Sequence, residues 1–201
     1  MKSYLTIALI LTLITANGQK YEPTEFGIGF AIATNPFGFG KPQNPNDFFI
    51  DKELSKKIDI EKIAPFFHKP DYGLYHFICL EKTVEYYKIL INKTEIGFIP
   101  NDSNYYFKTW DGLLLNSTVV RNNRNNQIKL EWTENSQTIL NECSSERLDV
   151  RDVIEKNGEY WISISFSPTC EVYLTENTEM KNGWIKWRTN EKLLIEILLL
   201  N

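Results

Sequence analysis

Alternation of apolar and polar residues marks the clearest predicted strands of the chain. In residues 159–166 apolar side chains recur at every second position, and residues 85–91 are rich in aromatic and β-branched side chains. A period of two is typical of a strand with one buried face. Turn-forming residues 92–95 and the triplet Gly97-Phe98-Ile99 follow the earlier stretch, which predicts a hairpin there.

Few other segments favour a helix. Residues 51–63 carry apolar side chains among charges and predict a turn or two of amphipathic helix. Residues 111–115 fit either a short helix or a strand, whereas their counterpart near Leu193 favours a strand. Residues 24–45, rich in Gly, Pro, Asn and Phe, predict a long loop or a lead-in strand, and residues 172–174 predict an additional strand.

Three blocks of residues occur twice in the same order. Residues 80–87 (LEKTVEYY) resemble residues 154–161 (IEKNGEYW), residues 97–99 resemble 183–185, and residues 107–115 resemble 187–195. Internal repetition of this kind indicates two copies of one structural unit. We therefore expect a lead-in segment 19–62, a first unit 63–118, a linker or lead-in strand 119–138 and a second unit 139–201.

The amino end has the pattern of a secretory signal peptide. Lys2 precedes an apolar run that is too short to span a bilayer, and Ala16-Asn17-Gly18 places small residues before a cut at Gln19. The pattern predicts that residues 1–18 are removed and that the mature protein is periplasmic or secreted, without membrane insertion.

Charge and cysteine content narrow the function classes further. The chain carries 26 acidic and 22 basic residues, a net charge of −4, so no overall basic field favours nucleic acid as a partner. The basic residues Arg121, Arg124 and Lys129 lie among Asn residues and predict a solvated loop.

The chain has three cysteines. Cys143 and Cys170 are the candidate disulfide, and the alternative is that they are buried thiols. Cys79 lies in an apolar strand-like run.

The repeated residues resemble bacterial Src homology 3-like domains. The resemblance rests on the loop 67–71, the strand ending at Leu80-Glu81, the aromatic Tyr87 and the triplet 97–99, with similar features at residues 158–161 and 183–186. It implies a mainly β fold: two small, strongly bent antiparallel barrels in tandem, with few short helices. It also implies binding of cell-wall material, peptides or partner domains, and no catalysis by itself.

No group of residues predicts a catalytic or metal site. His68 and His76 are the two histidines; a metal site would need at least one further ligand such as Asp71 or Glu81, and nothing in the sequence fixes that geometry. Cys79 and His76 are three residues apart in a predicted strand, so their side chains point to opposite faces and cannot act together. Phosphate-binding and nucleophile motifs are absent from the sequence. We therefore expect a protein that is not an enzyme and needs no cofactor or metal.

Aromatic residues in predicted loops are the candidate ligand-binding groups. They are Tyr72, Tyr75, Tyr105, Tyr106 and Trp110. Such rings give a large contact area with few rotatable bonds, but they also dominate the cores of small β domains, and packing is the alternative interpretation. Trp161 and Trp184, at repeated strand positions, are predicted to belong to the core.

The function expected from these features is that of an exported, non-catalytic binding module for a cell-envelope component, a peptide or a protein partner. The alternative is a hydrolase or an enzyme inhibitor with a pocket between the two units. An exposed aromatic cleft is the expected sign of the first, and convergent polar groups in a concave site are the expected sign of the second.

Overall fold

The protein consists mainly of antiparallel β-strands, as the sequence predicts. The computed structural model describes residues 23, 25–33, 47–69, 74–141, 143, 146–168 and 179–199. The predicted signal peptide 1–18 and the predicted strand 172–174 lie outside these residues. Within them the strands form two sheets, accompanied by helix α1 (Trp110–Leu114) and a 3-10 helix (Ile60–Lys62).

The two sheets follow each other along the chain. The first contains β1 (Gly29–Ala33), β2 (Phe67–Lys69), β3 (Leu74–Lys82), β4 (Tyr86–Leu90), β5 (Ile96–Pro100) and β6 (Tyr105–Lys108). The second contains β7 (Thr118–Arg121), β8 (Ile128–Lys129), β9 (Thr138–Ile139), β10 (Leu148–Lys156), β11 (Glu159–Phe166), β12 (Lys181–Arg188) and β13 (Ile195–Leu198). One of the two sheets is curled into a half-barrel.

Most of the predicted elements are confirmed. Strand β11 spans residues 159–166, and β4 and β5 form the predicted hairpin around turn 92–95. Residues 111–115 belong largely to helix α1, residues 195–198 form a strand, and the lead-in segment supplies β1. The amphipathic helix predicted for residues 51–63 is wrong, because this segment consists of turns that end in the 3-10 helix.

Five strands of each sheet share one order. The first sheet runs β6-β1-β3-β4-β5, and the second runs β13-β7-β10-β11-β12 before continuing into β8 and β9. We number these five strands in chain order within each sheet. In both sheets the fifth strand pairs with the first on one side, and the second, third and fourth strands follow on the other side as a meander. Both second strands also have an irregularity at the same place, between Cys79 and Glu81 and between Val150 and Asp152. The repetition therefore lies in the chain topology.

The repeated sequence blocks match this topology only in part. Gly97 pairs with Ile89 and Gly183 pairs with Ile164, so these glycines occupy equivalent positions. Counting from them, the strand position of Tyr87 corresponds to Ile162, not to Trp161 as the sequence blocks suggest. The third block pair is wrong, because residues 107–108 end β6 whereas residues 187–188 end β12.

A close backbone approach explains the repeated glycines. A Cβ on Gly183 would lie 2.5 Å from Ile128 Cγ2 and 3.1 Å from the Lys129 carbonyl oxygen. A Cβ on Gly97 would lie 2.6 Å from Ile91 Cγ2 and 3.2 Å from the Phe49 carbonyl oxygen. In both sheets a segment from the connection between first and second strands bridges the fourth strand here. Glycine leaves room for that segment.

Local turn chemistry sets the ends of the strands. Asn157 and Gly158, with φ values of 55° and 74°, form the two-residue turn between β10 and β11. Both residues tolerate positive φ, which a tight hairpin of this kind requires.

Helix α1 begins directly after β6. The Thr109 hydroxyl accepts a hydrogen bond of 3.1 Å from the Gly112 amide and caps the helix. The Trp110 indole donates a hydrogen bond of 2.7 Å to the Phe26 carbonyl.

Two layers of apolar side chains hold the sheets together. The larger layer, the shared core, joins one face of the first sheet to the inner face of the second through Phe26, Trp110 and Trp187. The smaller layer, the first-sheet core, covers the other face of the first sheet and includes Phe48 and Phe77. Strand β1 is therefore buried on both faces, whereas the second sheet has the shared core on one face.

Candidate functional site

A cavity of about 580 Å³ lies on the outer face of the second sheet, away from the shared core. Side chains alternate along β12, so Ile185 and Trp187 enter the shared core while Lys186 between them points to the opposite face. Trp161, which pairs with Lys186 in register, lies on that outer face too. We call this cavity the polar pocket.

The polar pocket is lined mainly by polar side chains from four segments of the second sheet. Residues 122–127 between β7 and β8 supply one wall, the β8–β9 hairpin a second, and the turn between β12 and β13 a third, with β11 and β12 as the floor. The lining residues are Asn122, Asn123, Asn125, Asn126, Gln127, Lys129, Glu134, Trp161, Lys186, Thr189, Lys192, Leu193 and Leu194. Most of these side chains are amides or charged groups, which indicates a polar ligand rather than an apolar one.

Ion pairs fix the floor of the polar pocket. Lys186 Nζ bonds Glu159 at 2.9 Å and also Glu134, and it lies 5.1 Å from the centre of the Trp161 ring. Burial lowers the pKa of Lys186, but its hydrogen bonds to the two carboxylates outweigh that effect and raise the pKa above its usual value. The hydrogen bond from Lys186 lowers the pKa of Glu159. Both groups therefore stay charged at neutral pH.

Residues 122–127 are held in place by a buried ion pair. The Arg121 guanidinium donates to both oxygens of Glu146, at 2.7 and 2.5 Å, and to the Asn126 carbonyl at 2.8 Å. The two charged side chains are only 6% and 4% exposed. A bidentate pair of this kind has a strict geometry. The expectation of a solvated loop is therefore wrong for Arg121, which anchors the start of this wall.

Two asparagine side chains tie the same wall to the neighbouring strands. The Asn126 amide nitrogen donates to the Lys186 carbonyl at 2.6 Å, and the Asn122 amide nitrogen donates to the Leu193 carbonyl at 3.2 Å. Because each nitrogen is engaged with the backbone, each side-chain oxygen remains available as an acceptor in a fixed position.

The tip of the β8–β9 hairpin contacts β10 and β12. The Lys156 ammonium lies 4.4 Å from the centre of the Trp132 ring, and Glu134 contacts Lys186. Trp161, whose ring lies beneath the Lys186 ammonium, is only 1% exposed although it lines the cavity. Trp161 is thus buried, but it belongs to neither apolar layer, and Trp184 is half-buried on the same outer face.

The candidate ligand-binding aromatics do not come together as one exposed surface. Tyr75, Tyr105 and Trp110 are buried, the first two in the first-sheet core and the third in the shared core. Their places agree with the alternative interpretation, packing. Tyr106 is 47% exposed, and Tyr72 lies outside the described residues.

The first sheet separates His76 from His68 and Cys79, which both lie on the side of the first-sheet core. His68 pairs with Tyr75 and lies beside its ring, on the side of the first-sheet core, whereas His76 contacts Phe30 and Phe67 in the shared core. Burial lowers the pKa of His76 to about 4, with a contribution from the Lys108 charge. Burial raises the pKa of Cys79 to about 12, so this thiol is not poised as a nucleophile.

The predicted disulfide stays a prediction. Cys143 is buried, and Cys170 lies outside the described residues. Among the residues that the structure describes, no group of three acidic, cysteine or histidine side chains is arranged to hold a metal ion. No helix in the described ranges is long and apolar enough to cross a membrane.

Sequence reasoning missed the residues of the polar pocket. The run Asn122-Asn123-Arg124-Asn125-Asn126-Gln127 lies in the predicted linker or lead-in strand 119–138, although five amides in six residues are a visible signal. Lys186 carried no signal by itself, because its role depends on Glu134 and Glu159, which are 52 and 27 residues away in the chain.

Comparisons of the chain with protein-family models, with curated proteins and with solved structures give no match, so the polar pocket has to be interpreted from its own chemistry.

Proposed function

We propose that this protein is an exported, non-catalytic binding module, and that the polar pocket of the second sheet holds its ligand. The observation that carries the proposal is a preformed cavity of about 580 Å³ whose polar lining is fixed by the protein's own hydrogen bonds. Small-molecule sites are commonly preformed cavities of this size with a few oriented polar groups. A cell-envelope component or a peptide segment is the kind of partner that fits.

The repeated strand order supports a tandem Src homology 3-like architecture as part of this proposal. In each sheet the fifth strand lies beside the first and a three-strand meander follows, which is compatible with two small, strongly bent barrels. The resemblance noted in the sequence implies binding domains in exported proteins. Fold analogy supports this function only weakly, so the pocket has to carry the argument.

The alternative, a hydrolase or an enzyme inhibitor, has one feature in its favour. Polar groups converge in a concave site, which is the sign expected for an enzyme. However, general acid–base catalysis needs a group whose pKa lies near the working pH. At the floor of the polar pocket the pKa of Lys186 is raised and the pKa of Glu159 is lowered. Both pKa values are therefore shifted further from neutral pH. This pattern favours binding over catalysis.

A retention experiment tests the proposal. The mature protein and the variant Asn125→Ala/Lys192→Ala are passed over cell-wall peptidoglycan and envelope extract, with folding checked by circular dichroism. Both residues are exposed on the pocket rim, so the variant should fold normally and lose most of its retention.

Tyr106→Ala is the matched control, because Tyr106 is the exposed described member of the candidate aromatics. We expect this variant to be retained like the wild type. Equal retention of the wild type and the rim variant would rule out the polar pocket as the ligand site. Loss of retention in Tyr106→Ala alone would move the site to the first sheet.

A further inference from the structure

The amides of the polar pocket present both acceptors and donors in fixed positions. Asn122 and Asn126 expose side-chain oxygens because their nitrogens bond the backbone. Gln127 shows the opposite polarity, since its oxygen accepts from Lys129 and from Thr138, which leaves its amide nitrogen as a donor. A hydroxyl group both donates and accepts a hydrogen bond, so a ligand rich in hydroxyls can satisfy all three.

The pocket also contains two ammonium groups that no carboxylate neutralises. Lys186 is paired with Glu134 and Glu159. Lys129 is held by the neutral oxygens of Gln127 and Thr138 at 3.2 Å, and Lys192 is exposed on the rim. Within the described ranges neither Lys129 nor Lys192 forms an ion pair. In a chain of net charge −4, this local excess of positive charge favours an anionic group on the ligand.

The pocket offers no exposed aromatic ring to a ligand. Polar and apolar atoms contribute about equally to its surface, but Trp161 is 1% exposed, Leu193 is 2% exposed and Leu194 is half-buried, so its large apolar side chains are at least partly covered. A peptide segment usually gains much of its affinity by burying apolar side chains in such surfaces. A polyhydroxylated ligand does not depend on that contribution.

From these features we propose that the polar pocket binds an acidic saccharide, a sugar unit that carries a carboxylate. The amides of residues 122–127 bind the hydroxyl and acetamido groups, and Lys129 and Lys192 bind the carboxylate. The inference rests on the proposed function, and it specifies the class of ligand for the same site.

A titration followed by ¹H–¹⁵N nuclear magnetic resonance tests the class of ligand. The probes are a tetrasaccharide of alternating glucuronate and N-acetylglucosamine, a neutral tetrasaccharide of N-acetylglucosamine and an N-acetylated tetraglutamate peptide. We expect the acidic sugar to shift the side-chain amide signals of residues 122–127 and to bind about tenfold more tightly than the neutral sugar at low salt. The difference should shrink at high salt because the ammonium groups are partly exposed.

Matched charge variants separate specific contacts from overall charge. Lys129→Gln/Lys192→Gln should weaken binding of the acidic sugar about tenfold and leave the neutral sugar unaffected. Lys52→Gln/Lys56→Gln removes the same charge from exposed positions in the first half of the chain and should change neither affinity.

The outcomes distinguish this inference from the proposed function. Equal binding of both sugars, or binding of the peptide at the pocket in preference to them, would overturn the acidic saccharide and leave a binding module. If no probe binds but the rim variant Asn125→Ala/Lys192→Ala still loses envelope retention, the ligand class is wrong and the function stands. If no probe binds and the rim variant is retained normally, both proposals fail.

Discussion

The two sheets have the same strand order, yet they use their faces differently. The first sheet is covered by apolar side chains on both faces, with the shared core on one side and the first-sheet core on the other. The second sheet has the shared core on its inner face and the polar pocket on its outer face. One chain topology therefore supports a packing unit in one copy and a solvated, polar concavity in the other.

The connection between the first and second strands accounts for the difference. In the first sheet this connection brings Phe48 onto the sheet, where it packs against Phe77. In the second sheet it brings the amide-rich residues 122–127 and the β8–β9 hairpin. Because both connections cross the fourth strand beside a glycine, the scaffold is unchanged and only the delivered side chains differ. Site residues on such connections, carried by a rigid sheet, are common in proteins.

Buried polar groups occur in both sheets. Among the described residues, His76 Nδ1 and the Tyr105 hydroxyl of the first sheet have no hydrogen-bond partner, and the same holds for Trp187 Nε1, Arg188 Nε and one carboxylate oxygen of Glu196 in the second sheet. The second sheet also buries a complete ion pair, Arg121 with Glu146. Burial without a partner favours the neutral form of His76, whereas each charge of a buried ion pair depends on the other.

Removing one partner of the buried ion pair should have the largest effect. Arg121→Met leaves the Glu146 carboxylate buried without a counter-charge, which costs about 4 kcal/mol of unfolding free energy. Chemical denaturation measures the loss. Because Arg121 also bonds the Asn126 carbonyl, we expect the variant to bind the acidic tetrasaccharide poorly as well.

The double variant Arg121→Met/Glu146→Leu is the control for this prediction. It removes both charges, so most of the lost stability should return. If the single variant were as stable as the wild type, the ion pair would not be what holds residues 122–127 in place.

The second largest effect should be a loss of stability at acidic pH that is caused by the buried His76 of the first sheet. The pKa of His76 is about 4 in the folded protein and 6.5 ordinarily, so above pH 6.5 both states are neutral. As the pH falls from 6.5 to 4, the unfolded chain gains a proton that the folded chain does not. Stability should therefore decrease by about 3 kcal/mol over this window and then level off.

Denaturation curves of the wild type and His76→Leu at several pH values measure this contribution. Leucine cannot titrate and fits an apolar site beside Phe30 and Phe67, so the variant should lose that part of the pH dependence. Parallel stability profiles for the two proteins between pH 6.5 and 4 would show that His76 is accessible to protons in the folded state.

The two equivalent glycines should give the smallest effect and the most direct test of equivalence. Gly97→Ala and Gly183→Ala each place a methyl group within 2.6 Å of an isoleucine methyl, and each should lower the unfolding free energy by about 2 kcal/mol. Gly112→Ala in helix α1 is the matched control. A Cβ on residue 112 would lie 3.2 Å from both the flexible Lys108 side chain and the capping Thr109 hydroxyl, so the gain in helix propensity is offset in part and the unfolding free energy should change by less than about 1 kcal/mol.

Unequal losses at Gly97 and Gly183 would break the comparison between the sheets. They would mean that the two crossing segments do not pack on the fourth strand in the same manner. Similar losses, with the control unchanged, would support a common scaffold.

The strands and the repeat could be predicted from the sequence, but their exact register could not. Alternation in residues 159–166 was sufficient for β11, because that pattern depends on the strand alone. The alignment of Tyr87 with Trp161 failed by one residue. Cross-strand pairing is set by turns and bulges in both strands, and a short sequence motif does not contain that information.

The candidate site was largely beyond prediction for a related reason. Tyr75, Tyr105 and Trp110 have the composition of ligand-binding loops, yet packing against the two apolar layers buries them. Asn126 and Lys186 looked unremarkable in the sequence and become site residues because the strands bring them together. Exposure and proximity depend on contacts between distant segments.

The sequence by itself determined the mainly β character of this protein and the glycines at equivalent strand positions, because these follow from periodicity and local backbone freedom. Only the tertiary structure decided which face of each sheet is apolar and where polar groups converge. Those features arise when residues 27 to 60 positions apart, such as Lys186 with Glu159 and Asn126, are brought to hydrogen-bonding distance.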